Sequence, residues 1–313
     1  MHPYSDETGA DQIVANFASE VKDKVFLITS VSPNSLGAFF PETIAKASPK
    51  LTVLAALNVE KASEVAASIK AINSAAQTRI LHLDLAFFAS VRAAADEVNS
   101  YAEGINVVVN NAGIMAVPYS TTVDGHESCW QFNYLGHFLF TNLIMDKLLR
   151  SGPAPRVIEG YRLGGVRQFD HGFHCGASYD PWFAYAASKT ANILHAASLA
   201  RRLGSRGLVA VNLSPGVIYK NLSTHGALDK FDKLWALLQK VGDPLGWAAS
   251  TPLDSNCGVA IHAYAALAPA YIRSLDKLPD RVEGMSPWAI GELEARKTWE
   301  LSETPVRQKF DFD

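Results

Sequence analysis

Short apolar runs alternate with amphipathic stretches along most of the chain, and this alternation restricts the fold more than any other feature. The apolar runs are candidate strands and occupy residues 25–28, 51–56, 80–85, 105–109, 156–158 and 209–213. Strands that are apolar throughout are buried on both faces, as in a parallel sheet with helices on both sides. The pattern therefore predicts an α/β fold, a Rossmann-type doubly wound and mostly parallel sheet of about seven strands.

Helical periodicity fills the segments between these runs. Helices are expected at residues 38–47, 61–72, 90–101, 130–149 and 185–203, after a polar lead-in of about twenty residues without regular structure. Beyond residue 216 the alternation stops. Apolar residues at 228, 231, 235 and 238 then recur at helical spacing, which predicts a helical lid over a pocket. A further helix is expected around residues 292–301.

Composition excludes several classes of protein. The chain has 28 Lys and Arg against 31 Asp and Glu, a net charge of −3, which argues against nucleic-acid binding. No apolar run approaches the roughly 18 residues of a membrane helix, and the amino terminus lacks a signal-peptide pattern. Cys129, Cys175 and Cys257 lie far apart, so we expect reduced thiols, no metal site and a cytoplasmic location.

Tyr185 and Lys189 form the most suggestive pair of polar residues. They are four residues apart, so in a helix they lie one above the other on the same face. An ammonium group 4 Å from a phenol favours the phenolate by about 4 kcal/mol at an effective dielectric constant near 20. Such a tyrosine can act as an acid–base group near neutral pH. A Tyr–Lys pair at this spacing, taken by itself, is more often a surface pair on an amphipathic helix.

The order of several short motifs gives the pair its context. They occupy residues 29–37, 84–85, 110–115, 124–127, 132–138, 179–182, 184–192 and 215–218. In this order, over residues 25–216, the chain resembles the short-chain dehydrogenase/reductase family. It is most similar to the retinol-dehydrogenase-like and WW-domain-oxidoreductase-like branch, particularly to its fungal members. The resemblance implies one domain over residues 1–313, with a cofactor-binding and catalytic core at 21–216 and a lid and carboxyl-terminal helices at 217–313.

The resemblance also implies roles for individual residues. Tyr185 matches the proton donor, Lys189 the group that activates it and holds the cofactor ribose, and Asn133 the support of a water-linked proton relay. The implied cofactor contacts, from the phosphates to the adenine and nicotinamide rings, are Ser30, Ser35, Leu36, Gly37, Asp84, Asn110, Asn111, Gly113, Tyr185, Lys189, Gly216 and Ile218. His137, within the same motifs, is predicted to pack inside its helix rather than to take part in catalysis.

The chain departs from the family pattern in three respects. Ser30 and Ser35 stand where the phosphate loop is expected to have glycines, and a Cβ in a left-handed conformation costs about 1–2 kcal/mol. Leu57 stands where an acid or an arginine chooses between NAD and NADP. No Ser or Thr lies between Gly152 and Ala177, where the family has a carbonyl-binding serine, and loss of such a donor costs roughly 10²–10³ in rate.

These observations leave three functional hypotheses. The first is an NADP(H)-dependent oxidoreductase, with NAD(H) not excluded, that interconverts a carbonyl and an alcohol on a small apolar molecule in fungal secondary-metabolite biosynthesis. The second is an isomerase, cyclase or dehydratase that uses Tyr185 and Lys189 without redox chemistry. The third is an inactive small-molecule-binding protein. All three predict a small apolar ligand, no nucleic-acid partner and no integral membrane segment, and they leave room for a homodimer.

Overall fold

A computed structural model of the protein describes residues 4, 7–160, 175–213, 218, 254–268 and 291–312. The predicted lid helix at 228–238 and the predicted cofactor contact Gly216 lie outside these residues. Among the described residues, no helix has both the length and the apolarity needed to cross a membrane.

The centre of the molecule is a parallel sheet in the order β3-β2-β1-β4-β5-β6. The strands are β1 Val25–Thr29, β2 Leu51–Ala56, β3 Thr78–His82, β4 Val107–Asn110, β5 Arg156–Gly160 and β6 Val209–Leu213. The predicted doubly wound α/β fold is confirmed, with six strands in the described part of the chain against the expected seven or so. The strand order reverses between β1 and β4, which is where open α/β sheets bind ligands.

Helices cover both faces of this sheet. They are α1 Ala10–Asn16, α2 Ala18–Val21, α3 Leu36–Ala45, α4 Val59–Ile72, α5 Phe88–Ser100, α6 Ser128–Trp130, α7 Gly136–Leu143, α8 Met145–Leu149, α9 Pro181–Leu203, α10 Ser255–Leu267 and α11 Glu292–Val306. One core cluster contains buried residues of α5, α7, α9 and α11, and another contains those of α1, α3, α4 and α10.

The amino-terminal prediction is wrong, because α1 forms within the expected irregular lead-in. Its residues Ile13 and Val14 are buried, and the helix packs against α10. Few apolar residues mark this helix in the sequence. It is stabilised by contact with a partner about 245 residues away along the chain, as in the bond from the Asp11 N–H to Asn256 Oδ1.

The carboxyl-terminal helix α11 covers α9 and extends five residues beyond its predicted end. Trp299 is buried against the Phe138 ring, with 5.1 Å between the ring centroids, and the Arg202 guanidinium lies 4.4 Å from the indole. The Ser302 hydroxyl lies 2.6 Å from the buried Tyr134 hydroxyl. Helix α11 thus completes the core on this side of the sheet.

Truncation of this indole should therefore destabilise the protein. We expect Trp299→Ala to lower the free energy of unfolding in urea by about 3–5 kcal/mol, the range for buried aromatic truncations. Leu293→Ala on the same helix is the control. Leu293 is 46% exposed, so its truncation should change the free energy of unfolding by less than about 0.5 kcal/mol. Equal effects of the two substitutions would contradict this account of α11.

Candidate active site

The loop after β1 contains two residues in the left-handed backbone region. Ser30 has φ 59° and Asn34 has φ 61°, whereas Ser35 is extended with φ −99°. The expectation that Ser35 occupies a glycine-requiring position is therefore wrong. Asn34 takes the second left-handed position, which asparagine tolerates better than most residues. Ser30 remains a strained substitution.

Ser35 instead forms the amino-terminal cap of α3. Its hydroxyl accepts a hydrogen bond from the Ala38 N–H through the oxygen and donates its own hydrogen to the Ser32 carbonyl. This cap fixes the start of α3, where the first-turn N–H groups have no partner within the helix and favour an anion. The phosphate-binding role implied for Ser35 would have to coexist with this structural one.

Gly37 is required by close packing between this helix and the loop. A Cβ there would lie 2.5 Å from the Ser30 carbonyl oxygen and 2.7 Å from Asn111 Nδ2. Asn111 in turn donates to the Thr29 carbonyl at 2.9 Å. The end of β1, the start of α3 and the segment after β4 are thus held together as one unit.

Asn133 lies in a break of the predicted helix 130–149. Residues Gln131–Leu135 form a π-helical turn between α6 and α7, and a Cβ on Gly136 would lie 2.5 Å from the Leu85 carbonyl oxygen. The Asn133 amide accepts from the Ile114 N–H at 2.8 Å and donates to the Ile114 carbonyl at 2.9 Å. Asn133 therefore fixes the segment that follows Gly113.

Glu127, which ends the motif at 124–127 and was assigned no role from the sequence, anchors this same region. Its buried carboxylate accepts from the Cys129 and Trp130 N–H groups, at 2.8 and 2.7 Å, and from the Tyr179 hydroxyl at 3.2 Å. Burial raises the pKa of the Glu127 carboxyl above its usual range, although these donors partly oppose the shift. An acid just ahead of a helix is a capping signal that the sequence did contain.

Tyr185 and Lys189 lie on α9, which begins with Pro181 and is capped by Asp180, whose carboxylate accepts from the Phe183 N–H at 2.7 Å. The Lys189 ammonium lies 5.8 Å from the centre of the Tyr185 ring. A Cβ on Gly113 would lie 3.3 Å from Lys189 Nζ and 3.7 Å from Asn133 Oδ1. The structure thus brings together the three predicted catalytic residues and the loop after β4.

Apolar side chains surround the phenol. Met115, Ala116, Cys129 and Ala184 form a buried cluster with Tyr185, against which Ile114, Tyr179, Trp182 and Phe183 also pack. Burial raises the pKa of the Cys129 thiol to about 12, so this cysteine is not a nucleophile near neutral pH. The surroundings favour an apolar ligand.

His137 links the loop after β1 to the π-helical turn. Its Nδ1 lies 2.9 Å from the Asn133 carbonyl oxygen, so Nδ1 carries the proton and donates it. Its Nε2 then accepts from the Thr29 hydroxyl at 3.0 Å, and that hydroxyl oxygen accepts from the Ala112 N–H at 3.0 Å. Burial lowers the pKa of His137 to about 4 and keeps the ring neutral. His137 is thus a buried packing residue with a defined tautomer.

The remaining predicted contacts are placed as follows. Asp84 follows β3, and its carboxylate accepts from the Ala86 N–H at 2.9 Å. Asn110 is buried and donates to Thr141 and Glu159, so its side chain turns into the core. Ile218 is buried against Gly258, where a Cβ would lie 2.2 Å from Ile218 Cδ1. Leu57, at the end of β2, is 57% exposed.

A dinucleotide fits this arrangement at the carboxyl edge of the sheet. The start of α3 offers N–H groups to a pyrophosphate, and Gly113, which has no side chain, brings the backbone after β4 close to Lys189 and Asn133. Within the described residues no cluster of His, Cys, Asp or Glu side chains could hold a metal ion.

The different backbone conformations of the two serines predict opposite effects on stability. Ser30→Gly relieves a left-handed Cβ and should raise the free energy of unfolding in urea by up to about 1 kcal/mol. Ser35→Ala removes the cap of α3 and should lower it by about 1 kcal/mol. A stabilising Ser35→Ala, or a destabilising Ser30→Gly, would show that the loop conformation is misassigned.

Burial of neutral His137 predicts that stability decreases in acid. Folding lowers the pKa of His137 from 6.5 to about 4. Between these two pH values the imidazole is protonated in the unfolded chain but not in the folded protein. The free energy of unfolding therefore decreases as the pH falls through this range. From pH 7 to pH 5 this contribution amounts to about 2 kcal/mol. His137→Gln should show a correspondingly smaller pH dependence in urea unfolding. Burial also lowers the pKa of His126. His126 contributes equally to the pH dependence of the wild type and of His137→Gln, so it serves as the internal control.

Comparisons with known proteins agree with this geometry. A family model described as short chain dehydrogenase matches residues 24–229. The chain is 32% identical to short-chain dehydrogenase/reductase prx1 of Penicillium roqueforti over 295 residues, which are 90% of this chain and 84% of the relative. It is 32% identical to retinol dehydrogenase 11 of Mus musculus over 222 residues, 70% and 68% of the two chains. A crystal structure of a Mycobacterium paratuberculosis protein, 28% identical, matches with a TM-score of 0.67 over 94% of this chain and 98% of that one. The chain belongs to the short-chain dehydrogenase family.

Proposed function

We propose that the protein is an oxidoreductase that interconverts a carbonyl and an alcohol on a small apolar molecule with NADP(H). The observation that carries the proposal is that Lys189 lies beside Tyr185 and, together with Asn133, beside Gly113 at the carboxyl edge of the sheet. Tyr185 and Lys189 belong to α9, Asn133 to the π-helical turn and Gly113 to the segment after β4, so their meeting is a property of the fold and not of a local sequence motif.

Tyr185 acts as the acid–base group of this reaction. Its hydroxyl donates a proton to the carbonyl oxygen during reduction and recovers it during oxidation. The Lys189 ammonium favours the phenolate, because a cation in a water-poor site stabilises a nearby anion more strongly than in water. Asn133 keeps the segment after Gly113 at a fixed distance from both groups. The nicotinamide cofactor supplies or accepts the hydride when it is bound.

The end of β2 gives little basis for a choice between NADP(H) and NAD(H). The residue at position 57 is an exposed leucine, which neither repels a 2′-phosphate as a carboxylate would nor pairs with it as an arginine would. The neighbouring Asn58 uses its side-chain oxygen to accept from the Lys61 N–H at 2.8 Å and caps α4. We therefore infer that NAD(H) also binds, with an affinity similar to that of NADP(H).

An apolar substrate is supported by the side chains around the phenol. Ile114, Met115, Trp182 and Phe183 form this lining, and apolar walls with few polar groups are typical of small-molecule sites. The similarity to a dehydrogenase named for retinol agrees with this substrate class. The fungal resemblance supports a role in secondary-metabolite biosynthesis.

The absence of the family's serine after β5 predicts slow turnover. Strand β5, Arg156–Gly160, contains no Ser or Thr and ends in a glycine, so the described end of the strand supplies no hydroxyl group. We infer that Tyr185 is the principal hydrogen-bond donor to the carbonyl oxygen, and that the rate is about 10²–10³ lower than with a second positioned donor.

Substitution of the phenol tests this function. With all-trans-retinal as a probe aldehyde and either NADPH or NADH, we expect reduced nicotinamide to be consumed by the wild-type protein. Tyr185→Phe should reduce kcat by about 10²–10⁴, the usual contribution of a general acid. The matched control is Tyr101→Phe. Tyr101 lies at the carboxyl-terminal end of α5, away from the site, and its hydroxyl donates a hydrogen bond to Glu97.

Two outcomes would contradict the proposal. Equal turnover by Tyr185→Phe and the wild type would remove Tyr185 from the mechanism. Conversion of a substrate without nicotinamide, lost in Tyr185→Phe, would support the cofactor-independent acid–base enzyme instead.

A further inference from the structure

The ends of four neighbouring strands carry polar residues in one row, three of them buried and one half-buried. Thr29, Asn110, Glu159 and Asn212 follow one another across β1, β4, β5 and β6 in the parallel register of the sheet. Residues in register on neighbouring strands point to the same face, so all four side chains face the layer of α7 and α9. Glu159 is the only carboxylate in this row, and it is fully buried.

One oxygen of Glu159 joins a strand end to the helix that carries Tyr185 and Lys189. Its Oε1 accepts from Asn110 Nδ2 at 2.8 Å and from His195 Nδ1 at 3.1 Å. Asn110 begins the segment that leads to Gly113, while His195 lies on α9, six residues after Lys189. The carboxylate therefore bridges the two elements that meet at the candidate site.

A buried carboxylate is costly unless it is paired, so its contacts are geometrically demanding. The other polar atoms of the pair, Glu159 Oε2 and His195 Nε2, have no hydrogen-bond partner among the described residues. The titratable groups whose charges interact with the pair are His137 on α7 and Tyr134 on the π-helical turn. His137 stays neutral, and Tyr134 is bonded to Ser302, so His195 is the basic group in direct contact with the carboxylate.

We propose that Glu159 is a positioning residue, which sets Tyr185 and Lys189 against the loop at Gly113 by holding His195 and Asn110 at fixed distances. The inference rests on the proposed function. The space between the two elements is narrow, because a Cβ on Gly113 would lie 3.3 Å from Lys189 Nζ. A shift of α9 along the sheet would therefore change the distances among Lys189, the phenol and the cofactor loop.

The test is Glu159→Gln, which keeps an oxygen for the Asn110 amide but removes the charge. With all-trans-retinal and NADPH we expect kcat to fall by about 10–100-fold, as for a misplacement of up to about 1 Å. Ser198→Ala is the control on the same helix, since it removes a contact of α9 to the Ala295 carbonyl and none to the sheet. The control should keep its kcat.

Substitution of His195 separates positioning from general loss of structure. Asn offers an amide N–H near the place of Nδ1, so His195→Asn should keep at least about a third of the wild-type kcat. His195→Leu keeps the volume but offers no donor, and should lose about as much as Glu159→Gln. Equal losses in the Asn and Leu variants, or a wild-type kcat in folded Glu159→Gln, would overturn the proposal.

A readout without turnover distinguishes this inference from the proposed function. Ionisation of the tyrosines is followed by the ultraviolet absorbance of phenolate as the pH is raised. The ionisation step that is missing in Tyr185→Phe is assigned to Tyr185. If Lys189 moves away, the phenolate is less favoured, so this transition should shift to higher pH in Glu159→Gln and His195→Leu but not in His195→Asn or Ser198→Ala. This shift in a protein that reduces no aldehyde would support the positioning role and contradict the oxidoreductase assignment. No shift in any variant would overturn the positioning role alone.

Discussion

Polar side chains at the carboxyl ends of four parallel strands have to find partners inside the protein, and the helices of one face supply them. Thr29 reaches His137 on α7, Asn110 reaches Thr141 on the same helix, and Glu159 reaches His195 on α9. A buried polar group without a partner costs about 1–3 kcal/mol, so each contact restricts how a helix can slide over the sheet. The apolar rows beneath provide most of the stability but little of this positional restriction, because hydrophobic contact is non-directional.

The strands could be predicted from the sequence because burial on both faces leaves continuous apolar runs. Strands β2 and β6 have the predicted boundaries, Leu51–Ala56 and Val209–Leu213. Helix α1 could not be found in this way, since its two large buried side chains form too short a pattern without α10. The interruption at Gln131–Leu135 depends on packing of Gly136 against the Leu85 backbone, which is a tertiary contact and not a local preference.

The candidate site was predictable only in part. The spacing of Tyr185 and Lys189 requires no tertiary information, and the structure places both beside Gly113 and Asn133. Glu159 and His195 were missed, although an acid within an apolar strand is an unusual signal that a buried partner must exist. The partner itself could not be identified, because the helix residue that meets a strand end depends on the angle at which the helix crosses the sheet.

The loop after β1 shows how neighbouring contacts can maintain a conformation that its own sequence disfavours. Ser30 adopts a left-handed backbone at a cost of about 1–2 kcal/mol, yet the chain follows the turn into α3. The Thr29 carbonyl accepts from Asn111, the Thr29 hydroxyl is fixed by His137 and Ala112, and Gly37 allows α3 to approach the Ser30 carbonyl. The turn is therefore imposed from both sides. The serine lowers stability and adds a hydroxymethyl group at the phosphate end of the site, but it does not redirect the backbone.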